Sequence, residues 1–130
     1  MRAAPLAILA VAGCAATSPA PEPGAPPALE GVLWRLAEFD GAAVDTDVTL
    51  AVADDRVRGA GPCNRYFGGF AQEGAAVAIG PVAATRRACP RLELEQRYFL
   101  ALTEAASAEV AGHRLTLLDS DGAALMAFEG

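Results

Sequence analysis

The sequence predicts an α+β domain: an antiparallel, partly open β-barrel of short hairpins packed on one amphipathic helix. Three observations carry that reading. Short alternating runs recur between turn dipeptides from residue 29 onward. One later stretch, residues 91–109, changes from a strand period to a helical one. Two final apolar runs flank Asp119-Ser120-Asp121-Gly122, the strongest turn signal in the chain.

The first elements precede the domain. Arg2, the apolar run Ala3–Val11 and the small pair Ala12-Gly13 make residues 1–13 a signal peptide. The run is too short to span a bilayer as a helix. Val11-Ala12-Gly13-Cys14 has the form of a lipobox. In proteins with that pattern the cysteine takes a diacylglyceryl group and becomes the new N-terminus, so Cys14 is the expected lipidation site. The other reading is an ordinary signal peptide with a chance cysteine. Ala15, not Asp, follows Cys14, which by the same resemblance favours the periplasmic face of the outer membrane. The segment AATSPAPEPGAPPA completes a lipidated and Pro-rich tether over residues 14–28. At ~3.1 Å per residue it spans ~40 Å.

The domain then occupies residues 29–130. In VLWRLAEF (32–39), Leu33 and Arg35 fall on one side, Trp34 and Leu36 on the other, and Asp40-Gly41 marks a turn. Val48, Leu50 and Val52 share a face in VTLAVA, and Asp54-Asp55 leads into a return strand from Arg56. Residues 66–71 and 76–79 flank Gln72-Glu73-Gly74 as a second hairpin, and Val82–Ala84 forms a short run. The spacing of Leu94, Tyr98, Leu102 and Ala105 predicts a helix over 92–106 with its first three buried. Pro90 suits its start, and Glu93 and Glu95 suit its positive end. Arg114–Leu118 and Ala124–Phe128 form the last hairpin.

Charge excludes some functions. Acids outnumber bases 16 to 10, and every base is Arg. Cleavage before Cys14 removes Arg2, leaving 9 bases against 16 acids, a net −7. That balance argues against nucleic acid and against a polybasic membrane surface. With Cys14 lipidated, Cys63 and Cys89 remain. An exported chain folds where disulfides persist, which favours one bridge between them. Two separate buried thiols are the alternative. One His and no spare Cys argue against a zinc site.

The most distinctive stretch is GPCNRYFGGF, Gly61–Phe70. Asn64 suits a tight turn, since Asn tolerates left-handed backbone and bonds its own main chain. Gly68 and Gly69 suit a bend or bulge, and Tyr66, Phe67 and Phe70 suit cover for a sheet end. A structural corner is the reading favoured over a functional site.

Here the chain resembles the META domain family, whose members are also called HslJ-like. Trp34 and Leu36 resemble the family's W-x-L opening. Cys63-Asn64-Arg65-Tyr66, Gly68 and Phe70 resemble its G-C-N-R-[FY]-x-G-x-[YF] core, and Thr85–Cys89 its T-x-x-x-C segment. Glu95, Phe99 and Leu102 resemble its helix; Leu115, Leu117, Leu125 and Phe128 resemble its final hairpin. Pro62 stands where Gly is usual, and Arg87-Ala88 where Met-Ala is common. The resemblance covers about residues 30–130. It implies the barrel-plus-helix fold, export, frequent lipidation, and a link to envelope stress and antibiotic tolerance. It brings no catalytic residues. The fold also resembles a secretion-system pilot lipoprotein with a lipid-sized groove.

Other candidates have plainer readings. His113 beside Gly112 is a solvated turn residue, and no serine lies in a nucleophile-elbow pattern. Asp119–Gly122 lacks calcium-loop spacing. Asp45-Thr46-Asp47 and Asp54-Asp55 are solvated turns. Arg86-Arg87 and Arg91 either bind an acidic partner or neutralise Glu93 and Glu95, the favoured reading. Trp34 is core. The expected protein is therefore a non-enzymatic envelope lipoprotein, a binding or stress-tolerance module with no cofactor and no metal. Its partners are the membrane, through lipid on Cys14, and a protein or hydrophobic ligand. Rival readings are a carrier of an acyl chain or apolar segment, and an enzyme.

Overall fold

The structure, a computed structural model, describes residues 26–130. Residues 1–25, with the expected signal peptide, Cys14 and most of the expected tether, lie outside the described residues.

Ten strands and one helix follow in order: β1 (Trp34–Phe39), β2 (Ala42–Ala43), β3 (Thr49–Ala53), β4 (Arg56–Ala60), β5 (Arg65–Glu73), β6 (Ala76–Ile79), β7 (Ala83–Ala84), α1 (Leu92–Glu104), β8 (Ser107–Ala111), β9 (Arg114–Leu118) and β10 (Ala124–Glu129). The sheet runs β10-β9-β8-β6-β5-β4-β3-β1-β2, and β10 also pairs with β1, so the strands form a ring. The pairs between named strands are antiparallel. The seam is β6–β8, joined at the single pair Ala76↔Ser107. The expected α+β architecture, a partly open barrel on one helix, is what the chain adopts.

Turn chemistry sets the hairpins. Asp40 and Gly41 both take positive φ (51° and 78°), as do Asp54 and Asp55 (53° and 59°). Two consecutive left-handed residues make the two-residue turn whose twist matches a hairpin. At the last hairpin, Asp119 Oδ1 accepts the amides of Asp121 and Ala123, both at 2.9 Å, and Gly122 takes φ 81°.

Long β5 is shared between partners. Its first half pairs with β4, from Ala60↔Arg65 to Arg56↔Gly69, and its second half with β6, from Phe70↔Ile79 to Glu73↔Ala76. On the β6 side β7 takes over at Phe67↔Ala83. Gly68 and Gly69 therefore face Gly80, Pro81 and Val82. The extra residue lies on the strand opposite the glycines, so the bulge expected at Gly68-Gly69 sits across from them. Pro81 explains this, because it cannot donate to the ladder.

The barrel is filled, not hollow. Trp34, Leu36, Leu50, Val52, Val57 and Tyr66 point inward from the first strands, and Leu115, Leu117, Met126 and Phe128 from the last. Tyr98, Ala101, Leu102 and Ala105 enter from the helical segment. Leu29 begins the core, and the Trp34 indole N–H donates to its carbonyl at 3.0 Å. Tyr98 and Leu102 are fully buried as expected, but Leu94 is only partly so. The inward face runs through 95, 98, 101–102 and 105, so Glu95 takes the place expected for Leu94 and Ala101 joins the stripe. The helix also stops at Glu104, where Ala105 turns to extended backbone (ψ 126°), and Ser107 opens β8. Ring closure decides that boundary: β8 makes a five-residue ladder with β9, which continued helix would forfeit.

Leu102 has 0 % exposure, so Leu102→Ala should cost about 2–5 kcal/mol. A urea melt checks this, with a much smaller loss showing that the site is not core.

Candidate functional site

The motif residues gather at the corner between β4 and β5. Gly61 directly follows β4, and its amide donates to the Asn64 carbonyl at 2.7 Å, closing a tight turn. A Cβ on Gly61 would lie 3.0 Å from that carbonyl oxygen and 3.1 Å from Glu95 Oε2. Cys63 and Cys89 are joined by a disulfide, with Cα atoms 5.9 Å apart. The bridge ties the corner to the segment that leads into α1.

Glu95, on the first turns of α1, reaches into this corner. Its Oε2 accepts the amides of Cys63 (2.6 Å) and Asn64 (2.7 Å), and its Oε1 accepts Asn64 Nδ2 (2.7 Å). Asn64 Nδ2 also donates to the Arg87 carbonyl at 3.0 Å. Asn64 Oδ1 accepts the Arg87 amide (2.6 Å) and the Thr85 hydroxyl (3.1 Å). Asn64 and Glu95 are 5 % and 2 % exposed. Two expectations change here. Asn64 does not have a left-handed backbone; its amide is a two-sided connector between separate segments. Glu95 is not a solvated helix-end charge awaiting an arginine. Its partners are amide donors, while Arg91 pairs instead with Asp45 at 3.0 Å. That contact, hydrogen bond first, holds the Asp45 carboxyl below the usual carboxylate range.

Deeper in, the Tyr66 hydroxyl donates to the Thr49 carbonyl at 2.6 Å. Its single proton is thereby committed, so Tyr98 donates to Tyr66 across their 2.7 Å contact. Burial pushes both hydroxyls well above the ordinary tyrosine range. The rings meet edge-on, with centroids 5.6 Å apart. Gly59 makes room for this: a Cβ there would fall 1.9 Å from the Thr49 carbonyl oxygen. No buried side-chain polar atom lacks a partner among the described residues.

Gly68 also faces inward, whereas Arg65 and Phe67 face out. They line a shallow cleft of about 510 Å³ with Arg56 and Arg58 of β4. A second cleft, of about 520 Å³, lies between α1 and residues 82–88, with Val82, Leu92 and Phe99 on its walls. From the sequence, Arg65 and Glu95 stand out only as residues of the family's motifs, and neither the Glu95 network nor the Arg56/Arg58/Arg65 group is expected as a site. Signals existed for both: Glu95 stands at i, i+3, i+7 with Tyr98 and Leu102, and Arg56 and Arg58 share one side of a strand. His113 is exposed, as its turn position implied, and Trp34 is core.

A META domain sequence profile matches residues 27–130. The chain belongs to the META domain family. Solved structures similar to this META domain include a protein from Burkholderia xenovorans determined by NMR. It is 25 % identical, with a TM-score of 0.61 over 90 % of this chain and 95 % of that one. A second NMR structure is 21 % identical, with a TM-score of 0.62 over 78 % of this chain and 90 % of that one. A crystal structure of a DUF4847 family protein from Bacteroides vulgatus is 13 % identical, with a TM-score of 0.65 over 78 % and 93 %. At those last identities the likeness is one of fold. No curated protein matches the chain.

Two predictions test the corner. Glu95→Gln presents an N–H₂ to at least one existing donor and should cost about 1–3 kcal/mol; Glu95→Ala, which strands three donors, should cost roughly 3–5 kcal/mol. Chemical denaturation of both variants reads the difference, and equal small losses would remove Glu95 from its central role. The disulfide closes a separation of 26 residues, worth ~3.5 kcal/mol in the chain-entropy model. Cys63→Ala with Cys89→Ala should lower stability by about that amount, and intact-mass analysis without reductant should find no free thiol at either position in the parent protein.

Proposed function

We propose that this META-domain protein is a non-enzymatic envelope lipoprotein, anchored by lipid on Cys14 and acting as a binding module in envelope stress or antibiotic tolerance. The observation that carries the anchored reading is Val11-Ala12-Gly13-Cys14 directly after the apolar run Ala3–Val11. The residues that follow suit a lipid-held domain. Pro and Ala dominate up to Ala28, and Leu29 is the first core residue. Ala15, in place of Asp, after Cys14 favours the periplasmic side of the outer membrane.

The corner supports binding over catalysis. Asn64, Glu95, Tyr66 and Tyr98 have their polar atoms engaged with one another or with backbone. A general acid or base needs a free atom within hydrogen-bond reach of a substrate, and these groups are committed to holding segments together. The outward half of the motif, Arg65 and Phe67, is what a partner meets.

A second reading, an acyl-chain carrier, rests on the cleft between α1 and residues 82–88. The barrel interior is occupied by side chains, so an acyl chain would have to lie in that outer cleft, along Val82, Leu92 and Phe99. Lipid co-purifying with the Cys14→Ser protein would favour the carrier.

For the anchor, Cys14→Ser should move the protein from the membrane fraction to the soluble fraction. Membrane attachment unchanged in the variant would sink the lipoprotein reading.

A further inference from the structure

The outer face of β3, β4, β5 and β7 differs from the rest of the surface. Antiparallel partners put their side chains on the same face, so the register places three rows there: Ala53–Arg56–Gly69, Ala51–Arg58–Phe67–Ala83, and Ala60–Arg65. The only large side chains in these three rows are three arginines and one phenylalanine, and the rows include no acid; Glu73 lies further along the outward side of β5. Phe67 is 51 % exposed. Arg87 extends the basic track past Arg65, since both line one cleft beside the disulfide corner.

Outside this face, Arg35 and Arg86 have no ion pair among the described residues, and the other three arginines are paired. Arg91 pairs with Asp45, Arg97 with Asp40, and Arg114 with Glu38 and Glu129. Among the described residues no ion pair involves Arg56, Arg58, Arg65 or Arg87. The acids around the face are Asp54 and Asp55 at the β3–β4 turn beyond the first row, Glu73 at the end of β5, and Glu30, bridged to Val52. A chain of net charge −6 thus gathers four of its six described arginines that lack an ion pair, Arg56, Arg58, Arg65 and Arg87, along one track.

We propose that this face docks on an anionic phospholipid surface. Three features favour a bilayer over an acidic protein. Alanines and glycines fill the positions between the large side chains, so a broad surface can approach the sheet without obstruction; a Cβ on Gly69 would meet nothing within 4 Å. An exposed aromatic ringed by arginines is the composition of a headgroup-level contact, with the ring among the lipids and guanidinium groups on phosphates. The chain also enters the domain at the same end: Glu30 bridges Val52, and Val52 pairs with Val57 next to Arg56. Net charge alone argues against a polybasic surface, but attraction to a membrane falls off within about a Debye length. The face that comes close is therefore what counts. The proposal rests on the lipid anchor for local concentration and not for its chemistry.

The test uses the full chain carrying Phe67→Trp, held in vesicles through its own N-terminus. Brominated-chain lipids quench a tryptophan at the headgroup boundary but leave buried Trp34 unaffected. In phosphatidylcholine vesicles containing phosphatidylglycerol, emission from the introduced tryptophan should be quenched, and raised salt should abolish the effect. In phosphatidylcholine alone the protein should stay anchored and unquenched. Adding Arg56→Gln, Arg58→Gln and Arg65→Gln should weaken docking by about a hundredfold, at roughly fivefold per arginine. No quenching with phosphatidylglycerol, equal quenching without it, or quenching that survives the triple change would overturn the proposal. So would an emission change on adding poly-glutamate to the protein in phosphatidylcholine vesicles together with no quenching in vesicles containing phosphatidylglycerol, which points to an acidic protein partner. Failure to associate with neutral vesicles at all would refute the anchor and leave the phosphatidylglycerol arm as the test of the face.

Discussion

The Glu95 carboxylate is the interaction on which the rest of the domain depends. The β4–β5 corner must reverse direction, and its amides at Cys63 and Asn64 have no strand to pair with. A buried backbone donor without a partner is costly, so a single side chain that accepts both makes the corner possible. Glu95 comes from α1, and by satisfying the corner it also docks the helix. Once docked, Tyr98 and Leu102 enter the barrel and complete its core. Asn64 passes the constraint on, to Thr85 and Arg87.

The disulfide joins two of the same segments by a different means. Hydrogen bonds to a charged group contribute about 1.5–3 kcal/mol each, and a bridge of this loop length about 3.5 kcal/mol. The two are comparable, and they act on different states. The carboxylate stabilises the folded corner directly, while the bridge chiefly restricts the unfolded chain.

Strand alternation divides the motif between two tasks. Asn64, Tyr66 and Gly68 face inward, where each is committed to the polar network or to close packing. Arg65 and Phe67 face outward from the same backbone. The motif therefore builds a rigid corner and at the same time presents a surface whose position that rigidity holds. Charge follows the same division: arginines around the helix and the last hairpin are tied to acids, and those on the outer face of β4 and β5 are not.

Much of this was legible in the residues. Alternation located β1, β3 and the last hairpin, Asp-Gly and Asp-Asp pairs located turns, and the ordered motifs implied the family and its barrel. The cysteine pair needed only an even count and an oxidising compartment. Tertiary structure decided the rest. The helix could not extend to 106, because residues 107–111 were needed to pair with β9, and a ladder between distant strands leaves no local periodic mark. Glu95 read as a solvated acid because its partners lie over thirty residues away. Asn64 read as a turn former for the same reason. The arginine face came from three separate short runs, which only strand register places side by side. Local pattern reports which residues alternate or repeat; which distant donor meets which acceptor is settled by the closed ring, because burial makes each unpaired group too costly to leave.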